Sequence, residues 1–154
     1  MTRQHLVENL GLYPIKECFQ RATETQLREA ERVLGFKLPA DYRAFLSEFG
    51  VSGFSSDVVF AAIEPSPWAE DGKDHMGLFY GISDDPDFDV CRVNARLRGD
   101  IPDDSIAIAH DSGANHLLLF RNNQVRFFDN DSADTFLCAR SFEEFLKSLE
   151  VEAS

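Results

Sequence analysis

The sequence predicts an α+β fold: a mixed, mainly antiparallel sheet of about five to six strands with helices packed against it. Three observations predict it. Apolar residues recur at helical spacing up to Gly50. Short apolar runs rich in β-branched residues, separated by short turns, then fill the stretch from Val58 to Cys138. A last helical stripe follows Ser141. Short turns between strands favour antiparallel pairing, and the helices are expected on one face of the sheet.

The elements follow in order. Leu6, Val7 and Leu10 suggest a short helix stopped by Gly11, with Pro14 beyond it. Thr23-Glu24-Thr25-Gln26 fits a capping box, in which Thr covers a free backbone N–H and Gln three residues later returns the favour. Leu27, Ala30 and Leu34 continue that helix and Gly35 stops it. Pro39 suits the first position of a second helix, because its missing N–H would be unpaired there. Asp41 falls in the first turn, where the helix dipole favours an acid. Tyr42, Phe45, Leu46 and Phe49 form one apolar stripe, read as core, and Gly50 ends the helix.

Val58–Ile63 reads as a buried strand and Glu64–Gly72 as a Pro-containing loop. Leu78–Tyr80 reads as a second strand and Ser83–Asp87 as a turn. Val90, Val93 and Leu97 mark a helix closed by Gly99. Ile106–Ala109 and Leu117–Phe120 are strands joined by the polar loop His110–Asn115. Asn122-Asn123 suits a tight hairpin into Val125 and Phe127, and Phe136–Cys138 makes a last short strand. Ser141-Phe142-Glu143-Glu144 is a second capping box, opening a helix through Phe145, Leu146 and Leu149.

Composition narrows the function. With 154 residues, 14 of them Phe, the chain can bury a sizeable aromatic core as one domain over residues 1–154. No run approaches the roughly 18 apolar residues of a membrane span, and Glu8 interrupts any signal-peptide core, so a cytoplasmic location is expected. Cys18, Cys91 and Cys138 form no CxxC pair and read as buried reduced thiols. The net charge is −12, and residues 57–104 hold twelve acids against four bases. Such a field repels nucleic acid and anionic lipid and steers basic protein surfaces inward. No partner of either repelled class is expected.

The segment Thr23 to Gly53 resembles the opening motif of the SUKH superfamily. The resemblance rests on Leu34-Gly35, Leu38-Pro39, Tyr42 in the second helix, and Phe49-Gly50. Ile106 to Asn115 is similar to the family's strand and Gly/Asn turn, and Ser141 to Leu146 to its closing helix. Two departures stand out: Phe49-Gly50 replaces an Asn-Gly, and Ser112-Gly113-Ala114-Asn115 replaces a Gly-rich turn. The resemblance covers about residues 23 to 150. It implies a SUKH-like α+β domain and a protein-binding role. Bacterial members resemble immunity proteins that neutralise toxins, often nucleases, in interbacterial competition. Fungal members resemble regulators of cell-wall assembly that act as interaction hubs.

Catalytic and metal motifs fail on inspection, and no enzyme, cofactor or metal is expected. Asp85-x-Asp87-x-Asp89 begins like a calcium loop but has Val90 and Arg96 where Gly and Glu are needed. His110 and His116 lie six residues apart across a turn, no standard ligand spacing, with Asp111 as a turn former. A hydrolase using His110, Asp111 and His116 is the weakest alternative. Phosphate-binding glycine loops and a nucleophile elbow are lacking. The function that the resemblance implies is direct binding of a cognate toxin domain, and a monomer or weak homodimer is expected. The alternative is a regulatory or scaffold module that binds some other protein. The expected contact residues are Trp68, Glu70, Asp71, Asp74, Asp84, Asp85, Asp87 and Asp89, with Trp68 either an exposed anchor or a plug for its own loop.

Overall fold

In the computed structural model, which describes residues 3–153, fourteen labelled elements follow one π-helical segment, Gln4–Asn9. They are β1 (Leu12–Pro14), α1 (Glu24–Leu34), α2 (Ala40–Glu48), β2 (Ser52–Phe54), β3 (Val58–Phe60), β4 (Asp74–His75) and β5 (Leu78–Phe79). Then come α3 (Val90–Leu97), β6 (Ser105–His110), β7 (His116–Phe120), β8 (Val125–Phe128), β9 (Thr135–Ala139), α4 (Phe142–Ser148) and β10 (Leu149–Val151). The strands form a seven-stranded sheet in the order β1-β2-β5-β6-β7-β8-β9 and a three-stranded sheet, β10-β3-β4. Every strand pairing is antiparallel.

The helices begin where their caps place them. The Thr23 hydroxyl accepts from Gln26 N at 3.2 Å, and the Gln26 side chain accepts from Thr23 N at 2.9 Å. Gly35 closes α1 in the left-handed conformation, φ 61°. Glu31 holds the link to α2: its carboxylate accepts from Leu38 N at 2.8 Å and pairs with Arg43 at 3.1 Å. Pro39 is the cap of α2 rather than its first residue, since its ψ of 151° is extended and the helix starts at Ala40. The Ser141 hydroxyl accepts from Glu144 N at 3.1 Å and opens α4.

The core is the expected Phe cluster. Tyr42, Phe45, Leu46 and Phe49 of α2 are all buried. Phe45 meets Phe79 of β5 at 4.7 Å and Phe142 of α4 at 5.4 Å, and Phe60 of β3 meets Phe145 at 5.1 Å. These tilted and edge-on contacts join both sheets through α2 and α4.

Helices on a single face is an expectation the structure corrects. Strand β7 reads Leu117-Leu118-Leu119, and successive side chains point to opposite faces. Leu117 and Leu119 join the main core, whereas Leu118 faces away. A strand apolar on both sides needs cover on both. Helix α3 supplies it: Val90 and Val93 pack with Tyr80, Ala107, Leu118 and Phe128.

Strand ends also differ. β3 stops at Phe60 instead of running to Ile63, and α4 stops at Ser148. Leu149, expected in that helix, starts β10 and pairs with Phe60. Strands β1, β2, β4 and β10 were not expected; each has two or three residues, too few to show a period. Of the cysteines, Cys138 is buried, Cys91 is half-buried and Cys18 is exposed, so the expectation of three buried thiols holds only in part. Among the described residues, no helix is long and apolar enough to cross a membrane.

Candidate partner-binding surface

Residues from Glu64 to Asp89 present two acidic groups on different supports. Glu70 and Asp71 sit at the tip of the hairpin leading into β4, on the smaller sheet. Asp84, Asp85 and Asp87 sit on the loop from β5 into α3, on the larger sheet. Among the described residues, no hydrogen bond or ion pair links the two groups.

The hairpin tip is set by local chemistry. Glu70 and Lys73 exchange backbone bonds of 2.8 and 3.0 Å around Asp71 and Gly72, whose φ values are 54° and 76°. Two positive φ angles in a two-residue turn are the type I′ geometry that Asp-Gly favours. Lys73 turns its ammonium to Glu150 at 2.5 Å. Among the described residues, Glu70 and Asp71 make no ion pair, and both are exposed.

Asp74 does not belong to this acidic surface. It is 1% exposed, and its carboxylate accepts from the Ser66 hydroxyl and from Ser66 N at 3.3 Å. The Ser66 oxygen in turn accepts from Trp68 N at 3.1 Å. Asp74 therefore holds the corner that displays Trp68. Trp68 is 51% exposed. One edge of it lies against Asp129. Burial pushes the Asp129 carboxyl up, but the Asp131 N–H, the Trp68 side chain and Ser132 outweigh it and hold the group below the usual carboxylate range.

Asp89 is also structural, at 7% exposed. It caps α3, accepting from Arg92 N at 3.2 Å, and accepts from Ser83 N at 3.0 Å. Asp85 accepts from Lys16 Nζ at 2.8 Å and from Asp87 N at 3.0 Å. The Lys16 hydrogen bond and then the Asp87 N–H hold its carboxyl below the usual range. Arg92 and Arg96 donate to the carbonyls of Asp84 and Pro86 at 3.1 and 3.0 Å. Three cations thus compensate this loop, leaving Asp84 and Asp87 exposed. The calcium-like spacing of Asp85, Asp87 and Asp89 is absorbed by these turn and cap bonds.

The region of His110, Asp111 and His116 is organised differently from its sequence spacing. Asp111 makes the turn as expected: Oδ1 accepts from Gly113 N at 2.8 Å and Asn115 N at 2.9 Å. Asn115 Nδ2 donates to Oδ2 at 3.1 Å. His110 and His116 are direct cross-strand neighbours, a proximity that counting six residues along the chain does not reveal. Burial first, and then His110, hold the His116 ring below its ordinary pKa. Among the described residues, no group of three or more His, Cys, Asp and Glu side chains is placed to hold a metal.

Sequence reasoning also missed Asn94 on α3. Its side chain donates to Ala107 O at 2.9 Å and accepts from Ala107 N at 2.7 Å. Nothing in its own helical period marks it, because its partner is thirteen residues away.

Two comparisons with known proteins gave matches. A family model described as "SMI1 / KNR4 family (SUKH-1)" matches residues 21–148. The "SPbeta prophage-derived uncharacterized protein YokK" of Bacillus subtilis (strain 168) is 32% identical over 143 residues, covering 82% of this chain and 74% of its own.

Proposed function

Because the chain belongs to the SMI1/KNR4 family (SUKH-1), we propose that it is an immunity protein, which binds a cognate bacterial toxin and blocks it by direct contact. It acts by stoichiometric binding, in the cytoplasm, and not by catalysis. The observation that carries the choice of surface is the exposed Trp68 beside the uncompensated acids Glu70 and Asp71. An aromatic anchor with adjacent charge is the composition of a binding hot spot. A toxin with a basic substrate groove, such as a nuclease, would be steered toward Glu70 and Asp71.

The experiment is co-expression with any toxin-like domain that the adjacent gene encodes. The expected outcome is rescue of growth and co-purification of the pair. Trp68→Ala should speed dissociation about 30-fold, the equivalent of about 2 kcal/mol. Glu70→Arg with Asp71→Arg should slow association about tenfold at low salt and less at physiological salt. Unchanged association at low salt would remove the electrostatic part of the reading. Failure to rescue, with a different cellular protein retained through Trp68, would convert the reading to a regulatory module.

A further inference from the structure

The β-bulge in β6 turns one side chain out of the core. In a regular strand Ile106, Ile108 and residue 110 would share one face. Here the register against β7 shifts between Ala107 and Ala109. Ile108 and Ala109 both enter the main core, and His110 is turned to the opposite face, as bulges do. There it stands across from His116. The next pair, Asp111 and Asn115, is joined by a backbone bond of 3.0 Å. His110 and His116 therefore occupy the adjacent position without backbone bonds between them, where Cα atoms approach to about 4.5 Å and side chains stand closest. Tyr80 lies beside both rings, at centroid distances of 5.7 and 6.4 Å.

Each ring has a nitrogen with no hydrogen-bond partner. His110 Nδ1 lies 2.7 Å from the Asp111 carbonyl oxygen, so it carries the proton and donates, leaving Nε2 with a free lone pair. A backbone carbonyl fixing the tautomer in this way is the usual support of a metal-bound imidazole. His116 Nδ1 is buried and has no hydrogen-bond partner. Both residues are half-buried, so neither is sealed from solvent.

We propose that His110 and His116 form a two-imidazole site for a late first-row divalent cation of the Zn²⁺ or Cu²⁺ type, with solvent in the remaining coordination positions. Imidazole selects such ions over Mg²⁺ and Ca²⁺, which take oxygen ligands. The Asp111 carboxylate is committed to its turn and is not a ligand. With two protein ligands the site has micromolar and not nanomolar affinity. It stands independently of the partner-binding reading.

The test takes the full chain after EDTA treatment, with ZnCl₂ as the probe. At about 100 µM, a cation present at ten or more times its Kd raises Tm by about 3 °C or more. MgCl₂ should leave Tm unchanged, and calorimetry should count one Zn²⁺ per chain. His110→Gln and His116→Gln should each abolish binding in samples whose circular dichroism matches the parent. His75→Gln, at a half-buried histidine elsewhere in the fold with a carboxylate nearby (Glu152 at 3.9 Å), should retain it. Tyr80→Phe keeps both imidazoles and should also bind. No response in the parent chain overturns the proposal. So does binding that survives both imidazole substitutions, or that is lost in His75→Gln.

Discussion

Replacing Asn94 by Ala should destabilise the fold far more than a half-buried position on a short helix suggests. Strand β5 pairs with β6 only at Leu78–His110 and Phe79–Ala109, so it ends before Ala107. The Asn94 amide stands in for the absent strand, with bonds of 2.7 and 2.9 Å to the Ala107 N–H and carbonyl. Ala107 itself is fully buried. Two backbone groups left dry cost about 1–3 kcal/mol each. Alanine recovers roughly 0.5 kcal/mol in helix propensity. The net loss is about 1.5–5.5 kcal/mol, and for a chain of this size each kcal/mol is about 2–4 °C, so Tm should fall by roughly 3–22 °C. Thermal melts followed by circular dichroism measure it, and hydrogen exchange should show the Ala107 amide losing protection. A loss under about 1 kcal/mol, with the Ala107 amide still protected, would refute the view that this side chain completes the sheet.

Ala114 holds φ at 66°, a region that costs an L-residue about 1 kcal/mol, so Ala114→Gly should raise stability by up to about 1 kcal/mol in urea unfolding; destabilisation would contradict that. Burial and His110 hold His116 below its ordinary pKa, so the unfolded chain takes up the proton more readily. Its contribution is therefore complete above about pH 6.5 and is lost as pH falls from there through the folded value; in EDTA, the urea midpoint should drop between pH 7.5 and 5.5 and His116→Leu should flatten that slope. Asp74→Ala leaves Ser66 without its acceptor and should cost about 1–3 kcal/mol, while Trp68 fluorescence shifts as the corner loosens; an unchanged emission maximum would show that another contact places the indole.

The parts of the fold legible in the sequence are those whose causes are local. Thr23 with Gln26, Ser141 with Glu144, and Gly35 each act within one helical turn, so their spacing shows. The Phe stripe of α2 repeats often enough to reveal its period. Strands of two or three residues repeat nothing, and β10 exists only because Leu149 reaches Phe60, far away in the chain. One local signal was present and unread: Asp71-Gly72 is a hairpin dipeptide, and it announces β4. The candidate surface divides along the same line. Asp74 and Asp89 look like Asp84 and Asp87 in sequence, because an acid carries no local mark of burial. What separates them is a Ser66 brought beside β4 and a helix cap over Arg92.

That separation changes what charge can explain. The middle of the chain is acidic as a whole, but its loop at Asp84–Asp87 already holds Lys16, Arg92 and Arg96 against it. Ion pairs at an exposed surface contribute little stability, yet they cancel the field a distant partner would feel. The hairpin tip differs, since Lys73 is drawn away to Glu150 and leaves Glu70 and Asp71 uncompensated. A buried acid, Asp74, then fixes an exposed aromatic beside two free ones. On the proposed reading, steering and anchoring converge on Trp68, Glu70 and Asp71, and not on the denser run of acids from Asp84 to Asp89.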